Sequence, residues 1–261
     1  MAEIVVVESK QAAGELVATE IRRLIESKAD TVLGLATGST PLPVYAALAA
    51  SFRANPLDVS RVRGFALDEY VGLPAEHPES YRTVITRDVI GPLGLTSNQI
   101  QVPNGDVATL EHAGAKYERA IEAAGGIDLQ ILGIGRTGHL GFNEPGSSFA
   151  SCTRVKTLAP KSRADNARFF ALPEDVPRHC ITQGLGTIRR ARHLVLLAFG
   201  VEKATAIAAA VEGPVTASQP GSAIQLHAHV TVVLDEEAAA QLAGLDYYRY
   251  IWANKPAWQG I

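Results

Sequence analysis

Apolar residues along the chain alternate between short continuous runs and longer stretches where they recur at helical spacing. The short runs, rich in β-branched residues, predict strands at Ile4–Val7, Thr31–Ala36, Val62–Leu67, Leu129–Gly133, Leu194–Phe199 and Val230–Leu234. Between the first two, Ala12, Leu16, Val17, Ile21, Leu24 and Ile25 recur with charges opposite, which predicts an amphipathic helix covering one sheet face. Further helices are predicted at about Pro41–Ser51, Tyr81–Ile90, Leu110–Ala124, Ser162–Phe170, Glu202–Val211 and Glu236–Leu242. This alternation predicts an α/β fold, a doubly wound, mostly parallel, Rossmann-like sheet with helices on both faces. No internal repeat, low-complexity stretch or long linker divides the 261 residues, so the pattern gives one domain, 1–261.

Composition narrows the partners. Lys and Arg total 24 against 27 Asp and Glu, without a basic block, so no nucleic-acid partner is expected. No stretch approaches the ~18 uninterrupted apolar residues of a membrane span, so no membrane partner is expected. Glu3 before the first apolar run is unlike a signal peptide, and the expected location is the cytoplasm. Two cysteines, Cys152 and Cys180, exclude a disulfide scaffold and a four-cysteine zinc site. His227 and His229 alternate in a strand-like run without nearby carboxylate or thiolate partners, and no metal is expected. The chain reads as an enzyme or binder of small molecules.

In doubly wound sheets ligands lie where loops leave the carboxyl ends of strands, and three such places carry unusual residues. The first, Thr37-Gly38-Ser39-Thr40-Pro41, joins a strand to a helix. Its amides and hydroxyls suit an anion such as a sugar phosphate, and they equally suit a plain N-cap. The second, Leu67-Asp68-Glu69-Tyr70, puts two carboxylates at a strand end. Adjacent strand residues point to opposite faces, so at most one faces the cleft, where it suits a general base, while the other can make a structural contact; the pair equally suits an acidic cap for the following segment.

The third, Gly133-Ile-Gly-Arg-Thr-Gly-His139-Leu-Gly-Phe-Asn-Glu144-Pro145, contains a G-x-G-x-x-G match after a strand. A dinucleotide site would need an acid about 20 residues on to hold the ribose, and that stretch reads Thr153-Arg-Val-Lys-Thr-Leu. Pro145 would also interrupt the crossover helix. His139 with Glu144 instead suggests proton transfer, the carboxylate fixing the imidazole tautomer. Lys161, Arg163, Arg168 and Lys203 are candidate phosphate cations, and Pro160–Pro177 reads as a mobile cover over the cleft. Tyr247–Trp252 and Trp258 are expected to pack a terminal helix or an interface.

Together these segments resemble the glucosamine-6-phosphate deaminase (isomerase) family. The resemblance rests on 37–41, Leu-Asp-Glu-Tyr-Val-Gly-Leu-Pro at 67–74 with Glu-His-Pro-Glu-Ser-Tyr at 76–81, and Gly-His-Leu-Gly-Phe-Asn-Glu-Pro at 138–145. It continues through 154–158, 166–170, 184–188 and 211–213, in family order over roughly residues 30 to 235. It implies cofactor-free conversion of glucosamine 6-phosphate and water to fructose 6-phosphate and ammonia, with an amino-sugar phosphate as the partner. By the same resemblance Asp68 is the base between C2 and C1, and His139 with Glu144 opens the pyranose ring. Gly38, Ser39, Thr40, Arg168 and Lys203 would hold the phosphate, and 155–182 would be the lid. Thr137 stands where the family commonly has Asp, so any charge that the relay needs must come from Glu144, and slower or pH-shifted ring opening is expected.

Some members of the family are hexamers activated by N-acetylglucosamine 6-phosphate. Ser147, Ser148, Arg154, Lys156 and Thr157 match that effector site, whereas His193 replaces an acidic residue and the C-terminal tyrosine contact has no counterpart. The rivals are a 6-phosphogluconolactonase-like hydrolase, a non-catalytic sugar-phosphate sensor and an NAD-dependent dehydrogenase. The Asp-Glu-Tyr-Val-Gly and Phe-Asn-Glu-Pro stretches favour the deaminase over the first. The trio Asp68, His139 and Glu144 speaks against the second, and the missing ribose acid against the third.

Overall fold

A computed structural model describes residues 2–256 and 258–261. Its strands are β1 (Glu3–Val7), β2 (Val32–Leu35), β3 (Arg63–Ala66), β4 (Asp68–Tyr70), β5 (Ile100–Gln101), β6 (Leu129–Gly133), β7 (Arg154–Thr157), β8 (His179–Thr182), β9 (His193–Ala198) and β10 (Val230–Asp235). The helices are α1 (Lys10–Ser27), α2 (Leu42–Ala54), α3 (Tyr81–Ile85), α4 (Gly91–Leu93), α5 (Leu110–Ala123), α6 (Pro160–Asn166), α7 (Leu185–Ile188), α8 (Ala204–Val211), α9 (Glu236–Ala239) and α10 (Leu245–Ala253).

Seven strands form a wholly parallel sheet in the order β1-β10-β9-β6-β2-β3-β5. All six predicted strands are in it, and the missed seventh, β5, is a two-residue edge strand. From β2 the chain steps towards β3, whereas from β6 it steps the other way towards β9. Right-handed crossovers therefore put α1 and α2 on one face and α5 and α8 on the other. α1 shows how the sequence drives this. Ser9 caps it by accepting the Ala12 amide at 3.1 Å, and Ala13, Val17, Ile21 and Ile25 bury one stripe. Each large aliphatic side chain so buried contributes about 1.5–3 kcal/mol.

A second sheet, β4-β8-β7, is antiparallel and was not predicted, because its strands are short and partly charged. It anchors both ends of the expected cover, so 155–157 and 179–182 are paired strand and the intervening residues arch over the cavity. The helix predicted at Ser162–Phe170 begins at Pro160 and tightens to a 3₁₀ turn at Ala167–Phe169. The one predicted at Tyr81–Ile90 passes through a π turn at Thr86–Ile90 and runs on to Leu93, where Gly94 ends it at φ +67°. The helix expected at Glu236–Leu242 is shorter, Glu236–Ala239, capped by Asp235, which accepts the Ala238 amide. Trp252 of α10 packs on the core, while Tyr247, Tyr250 and Trp258 are exposed.

Candidate active site

The point between β2 and β6 where the chain reverses its direction of travel is where a doubly wound sheet opens a crevice. A cavity of about 470 Å³ lies there. It is lined by Thr37–Thr40 after β2, Asp68 after β3, Gly133–Arg136 and His139 after β6, Lys203 after β9, and Ser162, Asp165 and Arg168 from the cover.

Asp68 and Glu69 divide as strand alternation requires. Glu69 accepts the backbone amides of Tyr70 at 2.8 Å, Tyr81 at 2.9 Å and Arg82 at 3.0 Å, and so caps the start of α3. Asp68 is 6 % exposed, lines the cavity and has no hydrogen-bond donor among the described side chains. Burial, with the neighbouring charge of Glu69, pushes its carboxyl up to about 8.

Thr137, His139 and Glu144 form a second cluster. His139 Nδ1 is 2.8 Å from Thr137 Oγ1 and 3.4 Å from Glu144 Oε1, and Thr137 Oγ1 donates to Glu144 Oε2 at 3.1 Å. Ser162 also donates to Oε1 of Glu144. Burial pushes the Glu144 carboxyl up, but hydrogen bonds from His139, Ser162 and Thr137 and the charge of His139 outweigh it, and the net value is about 2. An ionised Glu144 only accepts, and one hydroxyl donates one proton, so Thr137 gives its proton to Glu144 and its oxygen receives Nδ1–H. His139 then keeps a free lone pair on Nε2. Gly135 is required beneath this ring, since a Cβ there would lie 2.1 Å from imidazole Cε1 and Nε2.

At the other loops, Gly38 turns with φ +86°, a left-handed conformation suited to glycine. Pro41 is the N-cap of α2 and no side chain caps that end, so the Ser39 and Thr40 hydroxyls are not used as caps and line the cavity instead. Burial pushes Lys203 below its ordinary value, Arg136 and Arg168 add to this, and Glu202 and Asp165 oppose it. The structure thus brings together Gly38, Ser39, Thr40, Asp68, His139, Arg168 and Lys203 on one cavity, with Thr137 and Glu144 behind the imidazole.

Two of the candidate cations do other work or none. Arg163 donates to the Val176 carbonyl at 2.8 Å, and neither it nor Lys161 lines the cavity. Arg154 donates to Asn143 Oδ1 at 2.8 Å and reaches Ser147 Oγ at 3.5 Å, beside the exposed Ser148. Lys156 and Thr157 follow Arg154 along β7. His193 is elsewhere, at the start of β9, with its ring stacked 3.7 Å from that of His229. Among the described residues no three His, Cys, Asp or Glu side chains are placed to hold a metal ion. No helix among them is long and apolar enough to cross a membrane. Sequence reasoning missed Ser162, Arg136 and Asp165, because a serine and an ion pair on charged stretches carry no local signal.

Residues 7–233 match the family model described as glucosamine-6-phosphate isomerases/6-phosphogluconolactonase. The chain is 58% identical over 271 residues to a glucosamine-6-phosphate deaminase of Bifidobacterium longum (strain DJO10A), covering 100% of both. It is 56% identical over 260 residues to one of Streptomyces avermitilis, covering 99% of this chain and all of that one. Among solved structures it is similar to a monomeric glucosamine-6-phosphate deaminase, with a TM-score of 0.89 and 36% identity over 92% of this chain and all of that one. A 6-phosphogluconolactonase from Trypanosoma brucei shares the fold at TM-score 0.76 and 19% identity, over 93% of this chain and 99% of that one. The match spans nearly the whole chain and includes every loop of the cavity, and the chain belongs to the glucosamine-6-phosphate isomerase/6-phosphogluconolactonase family.

Proposed function

We propose that the chain is a glucosamine-6-phosphate deaminase of amino-sugar catabolism, acting as one domain with 155–182 as its lid. The observation that carries the reading is Asp68, a buried carboxylate with no hydrogen-bond donor among the described residues, on the same cavity as His139. Lactone hydrolysis needs no such base beside the sugar carbons. A proton shift between C2 and C1 does.

The phosphate sits among Gly38–Thr40, Arg168 and Lys203, anchored by loop amides and hydroxyls and by two cations. His139 Nε2 takes the proton of the C1 hydroxyl and returns it to the ring oxygen, giving the open-chain aldehyde. Thr137 and Glu144 stabilise the imidazolium in between, Glu144 carrying the charge. Asp68 then removes the C2 proton and delivers it to C1. The C2 ammonium gives up one proton and the C1 oxygen gains one, so that C1 becomes an alcohol and C2 an iminium, and water adds there and expels ammonia. The products are fructose 6-phosphate and ammonia, and atoms and charge balance without any cofactor.

His193, stacked at the amino edge of the sheet, offers no acid to an effector at Ser147, Ser148, Arg154, Lys156 and Thr157, so turnover is expected without that activator. The test is release of fructose 6-phosphate from glucosamine 6-phosphate in a coupled assay, beside galactosamine 6-phosphate and 6-phosphogluconolactone. Turnover on the gluco substrate supports the reading, and turnover on the lactone alone replaces it with the hydrolase. Binding of sugar phosphate without turnover on any of the three leaves a sensor.

A further inference from the structure

The cover does more than close the cavity, because one of its side chains belongs to the proton relay. α6 offers two residues one turn apart, Ser162 and Asp165, to the loop that carries His139. Asp165 pairs with Arg136, the residue before Thr137. Ser162, 3 % exposed, donates to Oε1 of Glu144. That is the same oxygen that stands 3.4 Å from His139 Nδ1, while Oε2 receives Thr137 at 3.1 Å. Among the described residues no other side chain from 158–178 hydrogen-bonds to Thr137, His139 or Glu144.

The torsion that orients a glutamate carboxylate is broad, so the backbone alone does not fix its plane. Thr137 holds one oxygen and leaves the group free to pivot about that contact. A second donor from α6 removes the freedom and keeps Oε1 facing the imidazole. We propose that Ser162 is a positioning residue for ring opening: the hydroxyl it brings from the lid aligns Glu144 with His139, so that proton transfer is completed only with the lid in place. The proposal rests on the deaminase reading above. It assigns the Arg136–Asp165 pair the task of holding α6 in register with the same loop.

The experiment compares wild type, Ser162→Ala and Ser162→Thr. It uses glucosamine 6-phosphate, the same substrate deuterated at C2, and 2-amino-2-deoxyglucitol 6-phosphate, an open-chain ligand with no ring to open. Ser162→Ala is expected to lower kcat about tenfold, the loss of one hydrogen bond to a charged group. KM and hexitol affinity stay as in wild type, because the phosphate and open-chain contacts are untouched. Ring opening becomes the slow step, so the C2 deuterium isotope effect shrinks towards one. Where the wild type already shows none, the kcat loss against unchanged hexitol affinity decides. Ser162→Thr, which keeps the hydroxyl, restores all three values.

An alanine variant with unchanged kcat overturns the proposal. So does one whose isotope effect persists while kcat falls, or one that loses hexitol affinity as steeply as kcat, which would mark a merely structural tie. Failure of the wild type to make fructose 6-phosphate is a separate result, seen before any variant is compared, and it removes the deaminase reading itself.

Discussion

Replacing Asp68 by Asn tests whether this carboxyl is desolvated as the structure shows. Its folded value, about 8, lies above its ordinary 3.8, so between those pH values the native state keeps a proton that the unfolded chain has released. Stability supplied by the protonated group is complete below pH 3.8, falls as pH rises through the window, and levels off above about 8. A tenfold change in proton affinity is worth about 1.36 kcal/mol, which sets a ceiling of about 6 kcal/mol on the penalty at high pH. Relaxation and water entry reduce this to a few kcal/mol. Asp68→Asn carries no proton to lose, so its stability relative to wild type should be near equal at pH 4 and higher at pH 8.5. For a chain of this size a few kcal/mol raises Tm by roughly 5–15 °C. Thermal unfolding of both proteins across that pH range measures the gap. A gap that does not vary with pH would refute the desolvation argument, whatever happens to activity. In the same preparation turnover should fall by roughly 10²–10⁴, the usual contribution of a general base.

Gly135→Ala should fold normally yet lose about 10²-fold or more in kcat, because the new Cβ occupies the place of the His139 ring; steady-state kinetics beside circular dichroism checks it, and wild-type turnover would show that the ring is not fixed there. Thr137→Asp supplies a second charge to the relay and should alter the pH–rate profile for kcat, and an unchanged profile would mean that the hydroxyl already does all that the position requires. Arg168→Ala and Lys203→Ala should each weaken substrate binding about 10- to 100-fold, as loss of one charged hydrogen bond implies. Inhibition by inorganic phosphate should weaken in parallel, and a loss confined to kcat would place these cations away from the phosphate.

The legible parts of this molecule are those with a period or a motif. Six strands were readable because central parallel strands are continuous apolar runs, as in β9, where all six residues are buried. The sheet β4-β8-β7 was not, since Asp68-Glu69-Tyr70 reads as polar loop and β7 alternates half-buried with exposed residues. In the site, strand alternation already required Asp68 and Glu69 to part, but which faced the cleft depended on α3 arriving to be capped by Glu69. The Gly-Ser-Thr turn was ambiguous between cap and anion site because both use the same residues; the absence of a side-chain cap on α2 separates them. Ser162 was invisible for a different reason. Its partner Glu144 is 18 residues away, and the contact exists only because β7 and β8 fold the cover back over the loop that carries His139 and Glu144.

The two carboxylates of the site are driven apart, Asp68 up to about 8 and Glu144 down to about 2, and this separation fixes how each is used. Glu144 accepts from Thr137 and Ser162 and faces His139, and it is charged whether or not the cavity is filled. Asp68 has no donor among the described residues, and burial holds its proton, so near pH 6.5 it is protonated in the free protein. On the proposed mechanism the substrate carries the missing partner, since its C2 ammonium is next to the proton that Asp68 would remove. Binding an amino-sugar phosphate should therefore expel the Asp68 proton, so that on this proposal the base would be armed only with the correct substrate present. At pH 6.5, 2-amino-2-deoxyglucitol 6-phosphate should release close to one proton per site on binding. Glucitol 6-phosphate, with a hydroxyl in place of the ammonium, should release far less at that carboxyl. Calorimetry in buffers of different ionisation enthalpy separates the two, with Asp68→Asn abolishing the difference. Equal release by both ligands would mean that the phosphate end alone moves protons and that the ammonium does not ionise Asp68.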